Sequence, residues 1–271
     1  MQRAWLFPNP WRRVAAAGGA LVALGITAPD PASTETHASG PIIRMPGEKT
    51  LEDRLRYYGP AARQRWRPVF EAVGLRYPPQ ELTLVGLKAE RALEVYARDG
   101  GAWQFLHRFP VLAASGELGP KLQQGDRQVP EGLYEIESLN PNSKFHLSLR
   151  VNYPNEADRA QARTDGRRDL GGDIMIHGRA TSTGCLAVGD WAIENLFILV
   201  ADTGPEATRV ILSPVDFRVR TLPPDFTPEG DWVTRRHLAI AAALRTLPFP
   251  YEPAREAFNQ GGARGSAPRT E

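Results

Sequence analysis

"DIMIHGRATSTGCLAVGDWAIENLFILVADTG" (residues 173–204) passes from an alternating apolar segment, through a run of small residues, into an apolar helical pattern. Ile174 and Ile176 fall on one face of a strand over 173–178, which carries His177 to its end, where loops bear chemistry. "RATSTG" (179–184) is small and flexible, and it stops at Cys185, the single cysteine among 271 residues. A helix is predicted over 190–204, with Asp190 as N-cap and Gly204 near its end.

The surrounding chain reads mostly as strands. "ELTLVGL" (81–87) and "ALEVYAR" (92–98) are joined by a short polar turn, and Leu93, Val95 and Ala97 alternate with Glu94, Tyr96 and Arg98. "DGG" (99–101) signals a hairpin into 102–114. Further strands are predicted over 132–138, 144–151 and 208–213; in the second, Phe145, Leu147, Leu149 and Val151 share one face. With 24 prolines, 25 glycines, no internal repeat and no strand–helix alternation, the expected fold is mainly β (α+β) with one main helix after Cys185. Helical segments flank it. Thr50 to Val73 has Leu51 and Leu55 four apart, with Pro60 and Pro68 dividing it into short pieces. The expected divisions are 45–77 as an N-terminal helical segment, 78–220 as the β-rich domain, and 221–271 as a helix over 232–247 plus a disordered tail. Trp232 and the Ala/Leu face of that last helix are expected to dock on the main domain.

Charge excludes one class of partner. The 33 basic and 31 acidic side chains leave a net charge of +2, which does not fit a strongly basic nucleic-acid binder. Arg3, Arg12 and Arg13 precede the short apolar run "VAAAGGALVALGITA" (14–28), the order of a secretory signal. Residues 1–38 are therefore expected to be a signal peptide, cut after Ala38 as one option, or an N-terminal membrane anchor plus linker. Outside the cytoplasm thiols are oxidised into pairs, and one cysteine has no partner in its own chain. Cys185 is then a buried inert thiol, an intermolecular link or a nucleophile.

A nucleophilic thiol needs a base, a group that orients the base, and backbone donors for the oxyanion. His177 can be the base and the Gly178 carbonyl its orienter. The N–H groups around Ser182 to Cys185 can form the oxyanion hole. This pairing predicts a thiol pKa lowered through His177. No His/Cys/Asp cluster has metal-ligand spacing, and no glycine-rich phosphate loop precedes a helix. Lys121, Asp126 and Arg127 fall in a polar loop expected to be solvated surface, and "PEG" (130–132) is expected to shape the turn into a strand. His107 and His237 lie outside any motif.

"IHGRATSTGCLAVGD" (176–190) resembles the signature of the L,D-transpeptidase catalytic domain (YkuD-type) family, His-Gly, a spacer, then Ser-x-Gly-Cys. Its short spacer and the Leu186-Ala187 pair look like the YafK-type, murein-processing branch, as do "SGELGPKLQQGDRQVPEGLYEI" (115–136) and "LNPNSKFHLSLRVNYPNEADRA" (139–160). The resemblance covers about residues 78–220. It implies a β-rich catalytic fold and a periplasmic, cofactor-free cysteine enzyme acting on peptidoglycan stem peptides, with a peptidoglycan-linked lipoprotein as a further partner. By family position Cys185 would be the nucleophile, His177 the base and Gly178 the residue whose carbonyl holds the imidazole. Ser182, Thr183 and Gly184 would line the oxyanion site. His146 is a candidate for the site wall, with a structural hydrogen bond as the alternative. Tyr153 and Asn155 are candidates for lining the cleft, though Pro154 and Asn155 also simply make turns. Many family members carry an Arg shortly after the cysteine, where this chain has Leu186 and Ala187. That departure favours hydrolysis of the acyl intermediate over cross-linking. The alternatives are a cross-linking transpeptidase and a non-catalytic peptidoglycan-binding protein. A redox sensor needs a resolving thiol that this chain does not offer.

Overall fold

The computed structural model describes residues 47–250 and Phe258. The expected export segment and, apart from Phe258, the expected disordered tail lie outside the described residues. In chain order the helices are α1 (Leu51–Ala72), α2 (Glu156–Thr164), α3 (Asp190–Thr203) and α4 (Asp231–Leu244). The strands are β1 (Glu81–Leu87), β2 (Ala92–Arg98), β3 (Gln104–Pro110), β4 (Ala113–Ala114), β5 (Gly132–Asn140), β6 (Ser148–Val151), β7 (Met175–His177), β8 (Leu186–Ala187) and β9 (Thr208–Ser213). No helix among the described residues is long and apolar enough to cross a membrane.

The strands form one sheet in the order β3-β2-β1-β9-β5-β6-β7-β8-β4. β3 and β4 stand at opposite ends of that order, yet only Val111 and Leu112 separate them in the chain. The sheet must therefore curl until its two edges approach. β5 makes the bend: Gly132–Glu135 pairs with β9, the strand from Ile136 onward pairs with β6, and the register shifts between Ile136 and Ser138. Gly86 on β1 shows the result, since a Cβ there would lie 2.8 Å from side-chain carbons of both Leu186 on β8 and Leu212 on β9. Glycine is what lets β1 pass so close to β8 across the interior.

α3 packs on β1, β6 and β7, with Ile193, Leu196, Phe197, Leu199 and Val200 fully buried. A helix apolar on so many sides needs a second cover. α1 supplies it: Trp66 Nε1 donates to the Asn195 carbonyl at 3.0 Å, and Arg63 forks onto both carboxylate oxygens of Asp202 at 2.7 Å. α4 lies on β9 and β5 and buries Val233, Ile240 and Leu244, the docking expected of its apolar face.

Three local expectations need correction. α1 is one helix of 22 residues that runs through Pro60 and Pro68 instead of breaking there. A capping box between Thr50 and Asp53 starts it, and burial of Ala62, Trp66, Val69 and Phe70 against α3 offsets the two missing N–H donors. β6 starts at Ser148 and not at 144, because His146 has a left-handed backbone (φ 79°) that interrupts the alternation and turns Phe145 out of the core face. Gly189, not Asp190, is the N-cap of α3; the Asp190 carboxylate instead accepts the Arg179 N–H at 2.7 Å. β2 is buried on both faces: Glu94 and Tyr96, which alternate with the apolar residues, are fully buried too, with Arg218 donating to Glu94 Oε2 at 2.7 Å and to the Tyr96 hydroxyl at 2.6 Å. The alternation missed this because the covering segment lies more than a hundred residues away.

Candidate active site

β7 delivers the histidine. His177 is 1% exposed, and its ring stacks on Phe145 with centroids 4.6 Å apart. His177 Nδ1 lies 2.6 Å from the Gly178 carbonyl oxygen. A carbonyl oxygen only accepts, so Nδ1 carries the proton and Nε2 presents its lone pair. Gly178 has no room for a side chain: a Cβ would lie 2.6 Å from Asp190 Oδ1 and 2.7 Å from the Phe145 carbonyl oxygen.

β8 delivers the thiol. β7 and β8 are parallel, with Ile176 opposite Leu186 and His177 opposite Ala187. Carried one residue back from β8, this register puts Cys185 level with Met175, two residues before His177 on the neighbouring strand. The seven residues between His177 and Cys185 form most of the loop that joins the two neighbouring strands. Cys185 is half-buried, and its Sγ lies 3.5 Å from the Asp173 carbonyl oxygen. Asp173 is left-handed (φ 56°), which delays β7 until Met175, and its carboxylate is ion-paired to Arg150.

The electrostatics run against a resting thiolate. Burial pushes the Cys185 thiol up; the Met175 N–H opposes that shift, Asp173 adds to it, and Lys121 opposes it. Burial also pushes the His177 imidazole down, against the bond to Gly178. The direction is opposite to the expected lowering of the thiol pKa through His177: burial favours the neutral form of both groups. Alkylation by iodoacetamide should then keep accelerating as pH rises beyond 9.0, the ordinary value for a thiol. A plateau already reached at neutral pH would instead reveal a preformed thiolate–imidazolium pair.

The loop before the thiol is tightly bonded. Ser182 Oγ accepts the Cys185 N–H at 3.0 Å and donates to the Cys185 carbonyl at 2.6 Å. Gly184, with φ 112°, donates its N–H at 2.6 Å to Ser115 Oγ, while Thr183 is exposed. The other candidates sit elsewhere. His146 faces Glu194 of α3 at 2.9 Å and meets Tyr58 of α1 edge-on, so it is Phe145 that lies against His177. The Tyr153 hydroxyl donates to the Leu170 carbonyl at 3.2 Å and is buried. Asn155 caps α2 through the Asp158 N–H and donates to the Leu133 carbonyl at 2.9 Å. None of these three places a polar group against the thiol.

Sequence reasoning missed Ser115, Phe145 and the loop over 121–128. Lys121 and Asp126 are not solvated surface: the Lys121 side chain is buried and ion-paired to Asp126, whose carboxylate also accepts the N–H groups of Leu122, Gln123 and Gln128. Burial alone would raise the Asp126 carboxyl, but these donors hold it below the usual range. The Gly125-Asp126 pair was the available signal, as a turn with its own acceptor. Glu131 of "PEG" is also more than a turn residue: fully buried, it accepts from Lys88 Nζ at 2.9 Å and the Gly119 N–H at 2.6 Å, and faces His237 Nε2 at 2.7 Å. Among the described residues, no group of three or more His, Cys, Asp or Glu could hold a metal ion.

The family model of the L,D-transpeptidase catalytic domain (YkuD) matches residues 81–216, from β1 to just past β9. The chain belongs to the L,D-transpeptidase catalytic-domain family. The Escherichia coli K12 protein "Putative L,D-transpeptidase YafK" is 36% identical over 115 residues, 42% of this chain and 44% of that protein. The chain thus spans less than half the length of the curated relatives it matches. Among solved structures, the helical cell shape determining protein Pgp2 of Campylobacter jejuni is 24% identical with a TM-score of 0.43, over 52% of this chain and 50% of its own. L,D-transpeptidase 1 of Mycobacterium tuberculosis is 16% identical with a TM-score of 0.29, over 49% and 61%. The mainly β (α+β) expectation agrees with the nine-stranded sheet and with this family. The candidate residues His177, Gly178, Ser182, Thr183, Gly184 and Cys185 lie within the matched segment.

Proposed function

We propose that this chain is an exported cysteine acyl-transfer enzyme of the cell envelope, acting on peptidoglycan stem peptides through a Cys185 thioester. The observation that supports it is the β7–β8 register, in which the strand following Cys185 pairs with the strand ending in His177, whose Nδ1 lies 2.6 Å from the Gly178 carbonyl oxygen. In this reading His177 Nε2 takes the thiol proton as Sγ attacks the carbonyl carbon, and returns it to the leaving amine. The resulting thioester passes to water or to an amine. His177, Gly178 and Cys185 carry the chemistry, and the loop of Ser182, Thr183 and Gly184 lies at the oxyanion.

Water is the proposed acceptor. The two positions after the cysteine, Leu186 and Ala187, are buried in β8, with Leu186 filling the space that Gly86 leaves. Neither of these two positions supplies a cation to hold a second anionic stem peptide, and water needs no such site. The products would be shortened stem peptides or partners, such as a lipoprotein, released from them. The test offers the enzyme a tetrapeptide muropeptide, a cross-linked dimer and a peptide-linked lipoprotein fragment, each with an amine acceptor, and identifies products by mass. Shortened or released stem peptides are expected; mainly dimeric or amine-exchanged products would reverse the assignment to cross-linking.

A further inference from the structure

Two backbone donors of the loop that carries the thiol are occupied by serine hydroxyls. The Cys185 N–H is bonded to Ser182 Oγ at 3.0 Å, and the Gly184 N–H to Ser115 Oγ at 2.6 Å. An oxyanion hole works through donors 2.7–3.1 Å from the developing charge, and a donor already bonded to a hydroxyl is not free to serve.

The two serines differ in kind. Ser182 belongs to the same loop as Cys185 and bonds both its N–H and its carbonyl, so it moves with the thiol. Ser115 comes from another segment, 69 residues earlier, between β4 and β5. Its hydroxyl donates to the Arg127 carbonyl at 2.7 Å, and Asp126, the residue before Arg127, gathers three backbone N–H groups of that turn. A rigid turn thus aims Ser115 Oγ at Gly184. Ser115 is itself half-exposed, so rotation about χ1 carries its hydroxyl toward water without opening the core.

The geometry points to Ser115 as a positioning residue that caps the Gly184 N–H and keeps the oxyanion hole closed until the acyl donor's carbonyl oxygen takes its place. This rests on Cys185 being the nucleophile. A loose carbonyl meets a hole whose donor is already satisfied; one anchored by the rest of its substrate displaces the hydroxyl. Ser115 acts through Gly184 and takes no proton in the reaction.

Two reagents that differ in their need for the hole test this. In acylation by 4-nitrophenyl acetate, Sγ bonds to the carbonyl carbon, the carbon–oxygen bond breaks, and 4-nitrophenolate leaves with the electron pair while the thiol proton passes to His177. Charge builds on the carbonyl oxygen. Alkylation by iodoacetamide displaces iodide from carbon and builds no oxyanion. With the full chain, Ser115→Ala is expected to be acylated about 2- to 10-fold faster than the parent, the worth of one net hydrogen bond, while alkylating at the parent rate. Ser115→Thr, which keeps the hydroxyl, should match the parent in both assays. Acylation of Ser115→Ala at or below the parent rate overturns the cap. So does a parallel change in alkylation, which would mean a reshaped Cys185 loop. If the parent is not acylated at Cys185, with Cys185→Ala as blank, the nucleophile assignment fails and this inference fails with it; an acylated parent with an unmoved Ser115→Ala sinks this inference alone.

Discussion

Cys185→Ala is expected to lower turnover of muropeptides by roughly 10^4-fold or more while leaving the fold intact. Removing a nucleophile eliminates the covalent route, and what remains is binding and the polar surroundings of the carbonyl. The structural cost is small because Cys185 is half-buried and its Sγ makes only weak polar contacts, a long one of 3.5 Å to the Asp173 carbonyl and one with the Met175 N–H. The Cys185 N–H and carbonyl bond Ser182 through the backbone, and alanine preserves both. Thermal unfolding should therefore shift by no more than a few degrees. Product analysis on the purified variant decides the matter: turnover within about tenfold of the parent would eliminate the cysteine mechanism.

The largest expected stability effect lies away from the thiol, at Glu131. Its carboxylate is fully buried and joins Lys88, the Gly119 N–H and His237 of α4. Glu131→Ala would leave the Lys88 ammonium without its carboxylate, in a side chain only 7% exposed. Breaking a buried pair from one side costs about 3–5 kcal/mol. The loss should appear in denaturant unfolding, and a change below about 1 kcal/mol would show that the carboxylate is not the anchor of this network. The pH dependence has a definite sign. Burial alone would raise the Glu131 carboxyl, but His237, Lys88 and the Gly119 N–H together hold it below its ordinary 4.5. Its contribution is then fully present above 4.5 and is lost as the pH falls through the lower folded-state value.

Local pattern was sufficient for much of the scaffold. β1, β2 and β9 fall where apolar alternation between turn residues puts them, because each strand's period and punctuation are written in consecutive residues. Helix α3 was legible for the same reason. Where a local rule met a distant partner, the reading failed. Pro60 and Pro68 break an isolated helix, but α1 has α3 to pack against. Glu94 alternates like a surface residue, but Arg218 covers it.

The site divides in the same way. The order of His177, Gly178 and Cys185, with small residues between, was enough to raise a thiol, a base and its orienter as candidates, because all three lie within nine residues of one another. Tertiary structure alone decided their state. Burial favours the neutral form of both titrating groups, and burial is a property of what packs around a residue, not of its neighbours in the chain. It alone brought Phe145 onto the His177 ring, Lys121 toward the thiol, and the Ser115 hydroxyl onto the Gly184 N–H. A sequence records which residues can donate or accept; which donor is already occupied depends on contacts 69 residues apart, and those exist only once the sheet has curled.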